Sequence, residues 1–193
     1  FLRFGVAPEN VEEAIEIYRK RYVPIGMFEN TPYPGIHQAL QTLKAQGHRL
    51  FVATSKPEVY ARRITDRFEL TPYFEFVAGA SFDEKRSEKW DVINYALDTC
   101  GLRGNDSIVM IGDRKHDMIG AKKTGLCHFT LLNTGKVRIQ KGIRTCRNLR
   151  LGRYAFRLER NLRCIDCRLF FHFFLHFVYR GGGNQNIVKA NSL

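Results

Sequence analysis

Ser107-Ile108-Val109-Met110-Ile111-Gly112-Asp113-Arg114-Lys115-His116-Asp117 reads as a short apolar strand that breaks at a glycine and enters a helix. The apolar run is bounded by polar and turn-forming residues, as a buried strand should be. The helix is expected over about 116–124, with Gly125 as its C-cap. At the break two carboxylates, Asp113 and Asp117, stand four residues apart. One or two carboxylates together with waters and phosphate oxygens are what the hard cation Mg²⁺ prefers. A glycine beside the first acid lets the backbone approach a ligand closely. The same residues also read as a helix N-terminus whose acids merely complement the macrodipole. The motif alone leaves both readings open.

Working outward, the chain alternates strands with helices. Pro8–Tyr22 is expected to be an amphipathic helix, with Val11, Ala14, Ile15 and Tyr18 at helical spacing and acids in its first turn. Gly26, Asn30, Pro32, Pro34 and Gly35 then mark a loop. A second amphipathic helix over Ile36–Gln46 stops at Gly47. Arg49–Ala53 is a short apolar strand ending at Thr54-Ser55-Lys56-Pro57, followed by a helix over about Glu58–Phe68. Phe76–Ala78 reads as strand, Ser87–Cys100 as helix and Cys127–Leu132 as strand. Such alternation points to βαβ units and a parallel sheet. In sheets of that kind functional groups gather at the C-terminal strand ends, where both polar motifs fall.

Two further motifs bear on chemistry. A hydroxyl of Thr54 or Ser55, with the turn's N–H groups and Lys56, suits a phosphate oxygen. A capped turn before Pro57 is the plainer reading of the same residues. Lys89 falls near a helix start, where the dipole disfavours a cation unless an anion is near. Many lysines are simply solvated, so Lys89 alone decides nothing.

Charge and cysteine divide the chain. The net charge of +12 would ordinarily point to a polyanionic partner. Residues 1–126, however, carry 18 Lys/Arg against 17 Asp/Glu, whereas residues 127–193 carry 13 against 2. The motif-bearing part is therefore close to neutral. Cys100 stands apart from Cys127, Cys146, Cys164 and Cys167 in the tail. An odd count without regular spacing, and no signal peptide, point to a reducing, cytoplasmic setting. The opening on Phe1 rather than Met reads as a cut from something longer.

Taken in order, the motifs resemble the haloacid dehalogenase (HAD) superfamily: a strand ending in Thr/Ser, a lysine on a helix, and a strand ending in Gly-Asp with a second Asp. The match is closer still to its phosphoglycolate-phosphatase and 5'-nucleotidase-like branch. It rests on Phe28-Glu29-Asn30, Pro34-Gly35-Ile36, Val52-Ala53-Thr54-Ser55-Lys56-Pro57, Phe76-Val77-Ala78-Gly79, Gly112-Asp113-Arg114, Asp117 and Gly120-Ala121, and it covers roughly Leu2–Leu126. The resemblance implies an incomplete doubly wound, Rossmann-like α/β sheet with the remains of a helical cap. It implies Mg²⁺-dependent hydrolysis of a small phosphorylated metabolite, such as phosphoglycolate or a nucleoside monophosphate. Ser55 or Thr54 then matches the phosphoryl-binding hydroxyl and Lys89 the neutralising lysine. Asp113 matches the direct Mg²⁺ ligand and Asp117 the acid that assists it.

One part of the family pattern does not occur. No Asp-x-Asp-Gly-Thr segment is found in the 193 residues, so the aspartate nucleophile is missing and no phosphatase turnover is expected. The strand that carries it is central in this fold, so its absence should leave an apolar slot with unpaired backbone and an aggregation-prone chain. The expected divisions are a cap remnant at 1–33, a core at 34–132 and a basic, Cys/Phe-rich tail at 133–193 that is disordered or non-native.

Past Leu126 the resemblance stops, and arginine recurs at 144, 147, 150, 153, 157, 160 and 163. A reading-frame shift near Gly125–Cys127 accounts for this, because G-initial codons for acidic residues become Arg- and Cys-type codons when read one base early. Codons for Val137–Gly142, read one base later, permit Tyr-Gly-Ser-Lys-Lys-Glu, which resembles the family's continuation; the nucleotide sequence decides the matter. Other readings of the tail are non-specific nucleic-acid binding through its arginines with Tyr154 and Phe156, and a zinc site from Cys164, Cys167, His172 and His176. The zinc spacing is tighter than in ordinary fingers. No specific nucleic-acid partner is expected. Leu169–Tyr179 is apolar but spans only 11 residues, against about 20 for a membrane span, so it reads as an exposed hydrophobic liability. A pseudoenzyme or non-catalytic fragment, and a basic nucleic-acid-binding protein, are the rival functions.

Overall fold

The apolar run Leu50–Ala53 lies in the second strand from one edge of a six-stranded sheet, and each of its four residues is almost wholly excluded from solvent. The structure is a computed structural model that describes residues 1–32, 35–104, 108–112, 114–131, 137–138 and 176–180, with 129–131, 137–138 and 176–180 described as backbone. In chain order the helices and strands are α1 (Val11–Tyr22), α2 (Ile36–Ala45), β1 (His48–Pro57), α3 (Glu58–Arg67), β2 (Phe76–Ala80), α4 (Lys89–Thr99), β3 (Ile108–Gly112), α5 (Lys115–Lys123), β4 (Cys127–Leu131), β5 (Val137–Arg138) and β6 (His176–Arg180). Strand order across the sheet is β2-β1-β6-β3-β4-β5. The pairs β1–β2 and β3–β4 are parallel, as the alternating pattern leads one to expect.

Burial on both sides of the sheet explains the uninterrupted apolar runs. Leu50, Val52, Val109 and Ile111 face one core with Ala39, Leu40 and Leu43 of α2 and Ala61 of α3. Phe51, Ala53, Ile108 and Met110 face a second core with Val92, Ile93 and Ala96 of α4 and Ala121 of α5. Successive residues of β1 and β3 thus serve opposite cores, and two helical layers enclose the sheet. This is a mixed α/β fold with parallel strands.

Two sequence expectations need correcting. First, β1 does not end at Ala53 but continues through Thr54-Ser55-Lys56 to Pro57. Its register against β2 shifts between Ala53 and Pro57, since Ala53 pairs with Ala78 while Pro57 pairs with Ala80. Four residues of β1 are therefore matched to two of β2, and Thr54–Lys56 bulge out of the ladder. The Thr/Ser/Lys motif is a bulged strand end rather than a capped turn.

Second, the space between β1 and β3 is not open. β6, from the apolar stretch expected to be an exposed liability, lies there and pairs antiparallel with both neighbours. Among the other tail features, Cys146, Cys164, Cys167, His172 and the arginines from 144 to 163 lie outside the described residues.

The N-terminal segment packs over the end of β1. Residues of α1 are exposed or half-buried, and Met27 just beyond it is buried. The Tyr22 ring meets that of Tyr60 on α3 edge-on. Arg21 forms a bidentate pair with Glu29, which holds the Glu29 carboxyl below its usual range. Among the described residues, no helix is long and apolar enough to cross a membrane.

Cys100 carries a free thiol, and burial pushes its pKa up.

His128 on β4 supplies a pH-dependent element. Burial lowers its pKa below the ordinary histidine value, so the folded state binds this proton less readily than the unfolded chain. The stability linked to His128 is therefore present above the unfolded pKa, about 6.5, and is lost as pH falls through the lower, folded pKa. We expect His128→Gln to flatten the decline in urea midpoint on acidification below that value, relative to the unsubstituted chain. Parallel curves for the two proteins would refute this.

Candidate functional site

The C-terminal ends of β1 and β3 open on the same side of the sheet, where Thr54, Ser55 and Lys56 end β1 and where Lys89 and Asp117 lie in the first turns of α4 and α5. Lys89, the first residue of α4, is only 5% exposed. Its ammonium donates to the Ala53 carbonyl at 3.1 Å, one residue before Thr54. It also lies 3.6 Å from Asp117 Oδ1, an ion pair rather than a short hydrogen bond. Lys89 thereby ties the end of β1 to the first turn of α5.

Asp117 is the third residue of α5 and 2% exposed. Its Oδ2 accepts the Arg114 N–H at 3.1 Å, so it closes the helix start as a capping carboxylate. Asp117 thus caps the helix and faces the buried Lys89 ammonium.

Two glycines make the pairing possible. A Cβ on Gly112 would stand 2.6 Å from Asp117 Oδ2, so the missing side chain is what admits the carboxylate to the strand end. A Cβ on Gly120 would stand 2.7 Å from Lys89 Cγ, so this glycine leaves the channel for the lysine stem. Both positions are in the sequence motifs, but their packing purpose is not legible there.

The remaining candidates are less tightly gathered. Thr54 is half-buried, and its hydroxyl accepts the Lys56 N–H at 3.2 Å. Ser55 is exposed. Lys56 turns toward the N-terminal segment, donating to the Tyr22 hydroxyl at 2.6 Å. The structure therefore brings Lys89 and Asp117 together beside Thr54, whereas the described bonds take the Lys56 ammonium to α1. Asp113 lies outside the described residues.

Sequence reasoning missed a supporting cluster. Glu58 at the start of α3 accepts from Arg62 at 3.0 Å and from Arg86 at 3.2 Å. Arg86 in turn donates to the Gly79 carbonyl at 2.8 Å, and its guanidinium lies 3.7 Å from the Tyr95 ring centroid. This cluster locks the end of β2 to the corner where β1 becomes α3. Its signal, three separated charged residues, cannot be told from surface charge in the sequence.

A metal-binding group of three or more His, Cys, Asp or Glu does not occur among the described residues. Asp117, admitted to the strand end by the missing Cβ of Gly112, is one carboxylate of the kind a hard cation takes, and it faces Lys89 and the Arg114 N–H.

The chain belongs to the haloacid dehalogenase-like hydrolase family, whose model matches residues 2–131. Within it the relatives and neighbours are mainly phosphatases. A 5'-nucleotidase from Pseudomonas aeruginosa is 38% identical over 123 residues, covering 64% of this chain and 55% of that protein. The tyrosine-protein kinase PtkA of Mycobacterium tuberculosis is 44% identical over 119 residues, covering 61% and 40%. Phosphoglycolate phosphatases stand among the other relatives. The crystal structure of a predicted phosphatase from Clostridium acetobutylicum superposes with a TM-score of 0.59 at 42% identity, covering 65% of this chain and 58% of that one. The chain spans about half the length of the curated relatives it matches. The fold is accordingly the Rossmann-like one of HAD phosphatases, in part, and the family is one of hydrolases acting on phosphoric monoesters.

Proposed function

We propose that this chain carries the phosphate- and metal-binding half of a phosphomonoester hydrolase site, for a small phosphorylated metabolite such as phosphoglycolate or a nucleoside monophosphate. The observation that supports it most is a buried lysine, Lys89, spanning the ends of β1 and β3. A cation so placed can neutralise a phosphate oxygen in the mouth with little competition from water. The Thr54 or Ser55 hydroxyl and the Thr54–Lys56 bulge would hold a second oxygen, with Lys56 adding positive potential. Asp113 and Asp117 would hold Mg²⁺. When bound, that ion neutralises charge on the phosphoryl oxygens. Phosphoryl transfer asks mainly for positioning and neutralisation, which this set can supply.

The nucleophile is not among these residues. The family's Asp-x-Asp-Gly-Thr segment does not occur in the 193 residues, so we assign cap remnant 1–33 and core 34–132 to a half-site without turnover of its own. We place the chemistry in the cytoplasm with its metabolite substrates.

The test is twofold. The pure chain, with Mg²⁺ and either phosphoglycolate or a nucleoside monophosphate, is expected to release no phosphate. Calorimetry should show inorganic phosphate binding that strengthens with Mg²⁺ and weakens about tenfold or more in Asp117→Asn, the loss of one charge-assisted contact. Phosphate release would overturn the half-site assignment. Binding indifferent to both Mg²⁺ and Asp117→Asn would overturn the metal role.

A further inference from the structure

α4 begins at Lys89 without a side-chain cap: Glu88, its N-cap, is extended and makes no side-chain cap bond. Val92, Ile93 and Ala96 hold the helix to the sheet through apolar contact. Such burial is non-directional, so it resists lifting off more than sliding along the axis. Lys89 nevertheless has to reach two defined atoms, the Ala53 carbonyl at 3.1 Å and Asp117 Oδ1 at 3.6 Å. A slide of about 1 Å would take the first of these out of hydrogen-bonding range.

What supplies direction lies three residues upstream. Arg86 closes the loop between β2 and α4 on itself: its N–H donates to Ser81 Oγ at 3.0 Å, and its carbonyl accepts the Ser81 N–H at 3.1 Å. Its guanidinium donates to the Gly79 carbonyl at 2.8 Å and to Glu58 at 3.2 Å. The same planar group lies 3.7 Å from the ring centroid of Tyr95, a residue of α4 itself. One side chain thus joins the end of β2, the start of α3 and the flank of α4, and only Ser87 and Glu88 stand between it and Lys89.

We propose that Arg86 is the positioning residue for Lys89: it fixes where α4 starts relative to β1, and so where the Lys89 ammonium stands in the mouth. The consequence for ligand binding rests on the reading of Lys89 as a phosphate-binding cation. Arg86 acts through Lys89 rather than on the anion, since its Nε and Nη2 are turned onto Gly79 and Glu58 and its face onto Tyr95. Three partners in three directions need a planar fork with a stacking face, which the ammonium of a lysine lacks.

The test compares Arg86→Lys with the unsubstituted chain, in buffer where urea curves show both folded. Acetic anhydride labelling of Lys89, read by peptide mass spectrometry against the exposed Lys20, should run about tenfold faster in the variant, as a charge-assisted contact is lost. Amides of Val109 and Met110, in the core away from Arg86, should speed up clearly less. Labelling of Lys89 that is unchanged, or that rises only in step with those amides, would overturn the positioning role and leave Arg86 a general stabiliser. Inorganic phosphate with Mg²⁺, titrated by calorimetry, should bind the variant about tenfold more weakly. Faster labelling with undiminished phosphate affinity would uphold the role of Arg86 and overturn instead the reading of Lys89 as the phosphate cation. Should Arg86→Lys fail to fold, Glu58→Gln withdraws one partner of Arg86 at constant size. It should move both readouts in the same direction by a smaller factor, and no movement of Lys89 labelling there would equally overturn the proposal.

Discussion

Lys89→Met is expected to lower folding stability by about 3–5 kcal/mol, read as a fall in urea midpoint at unchanged slope. Methionine keeps most of the volume and all of the stem that runs past Gly120. What it removes is the charge. Asp117, 2% exposed, then keeps the Arg114 N–H but loses the buried cation 3.6 Å away, and the Ala53 carbonyl loses its donor. Breaking a buried pair from one side leaves an uncompensated charge in low dielectric, which costs far more than an exposed pair is worth. Lys89→Met with Asp117→Asn should therefore lose clearly less than the sum of the two single changes. Strict additivity, or a cost under about 1 kcal/mol for Lys89→Met, would mean that the pair is not the tie inferred from its geometry.

The same pair shows what the sequence could and could not yield. The strand Ile108–Gly112 was legible because apolar residues run without a break and stop at glycine. Helix boundaries at Lys89–Thr99 and Lys115–Lys123 fell within two residues of those expected. That Lys89 and Asp117 meet was not legible by pattern, since they stand 28 positions apart and only the parallel crossover brings α4 and α5 side by side. The family order of motifs supplied that link. The bulge at Thr54–Lys56 was missed because its cause, the two-residue mismatch with β2, lies in the partner strand rather than in its own sequence. The position of His176–Arg180 was missed for a related reason. A short apolar run states that it wants burial, not where a vacancy exists to bury it.

The largest effect outside that pair is expected at Gly79. A Cβ there would stand 2.5 Å from both Glu58 Cα and the Lys56 carbonyl oxygen, and 2.6 Å from Glu58 N. All three are backbone atoms, so no side chain can swing aside to make room. The corner where β1 becomes α3 must move, and with it the Thr54–Lys56 bulge and the Glu58–Arg86 cluster clamped to the Gly79 carbonyl. Gly79→Ala should cost about 1–3 kcal/mol, the range for forcing an extra methyl into a packed site, and is expected toward its upper end. Gly120→Ala is the informative comparison. Its nearest atoms are side-chain carbons of Lys89 and Ile93, which yield more readily than backbone, so the stability loss should be smaller. Its phosphate binding should suffer the more direct damage, because the added methyl displaces the stem that aims the Lys89 ammonium. Denaturation midpoints and phosphate titrations on the two variants separate these effects. If Gly120→Ala proved the less stable, the corner at Gly79 would be softer than three backbone contacts imply. If it bound phosphate unchanged, Lys89 would not be the group that holds it.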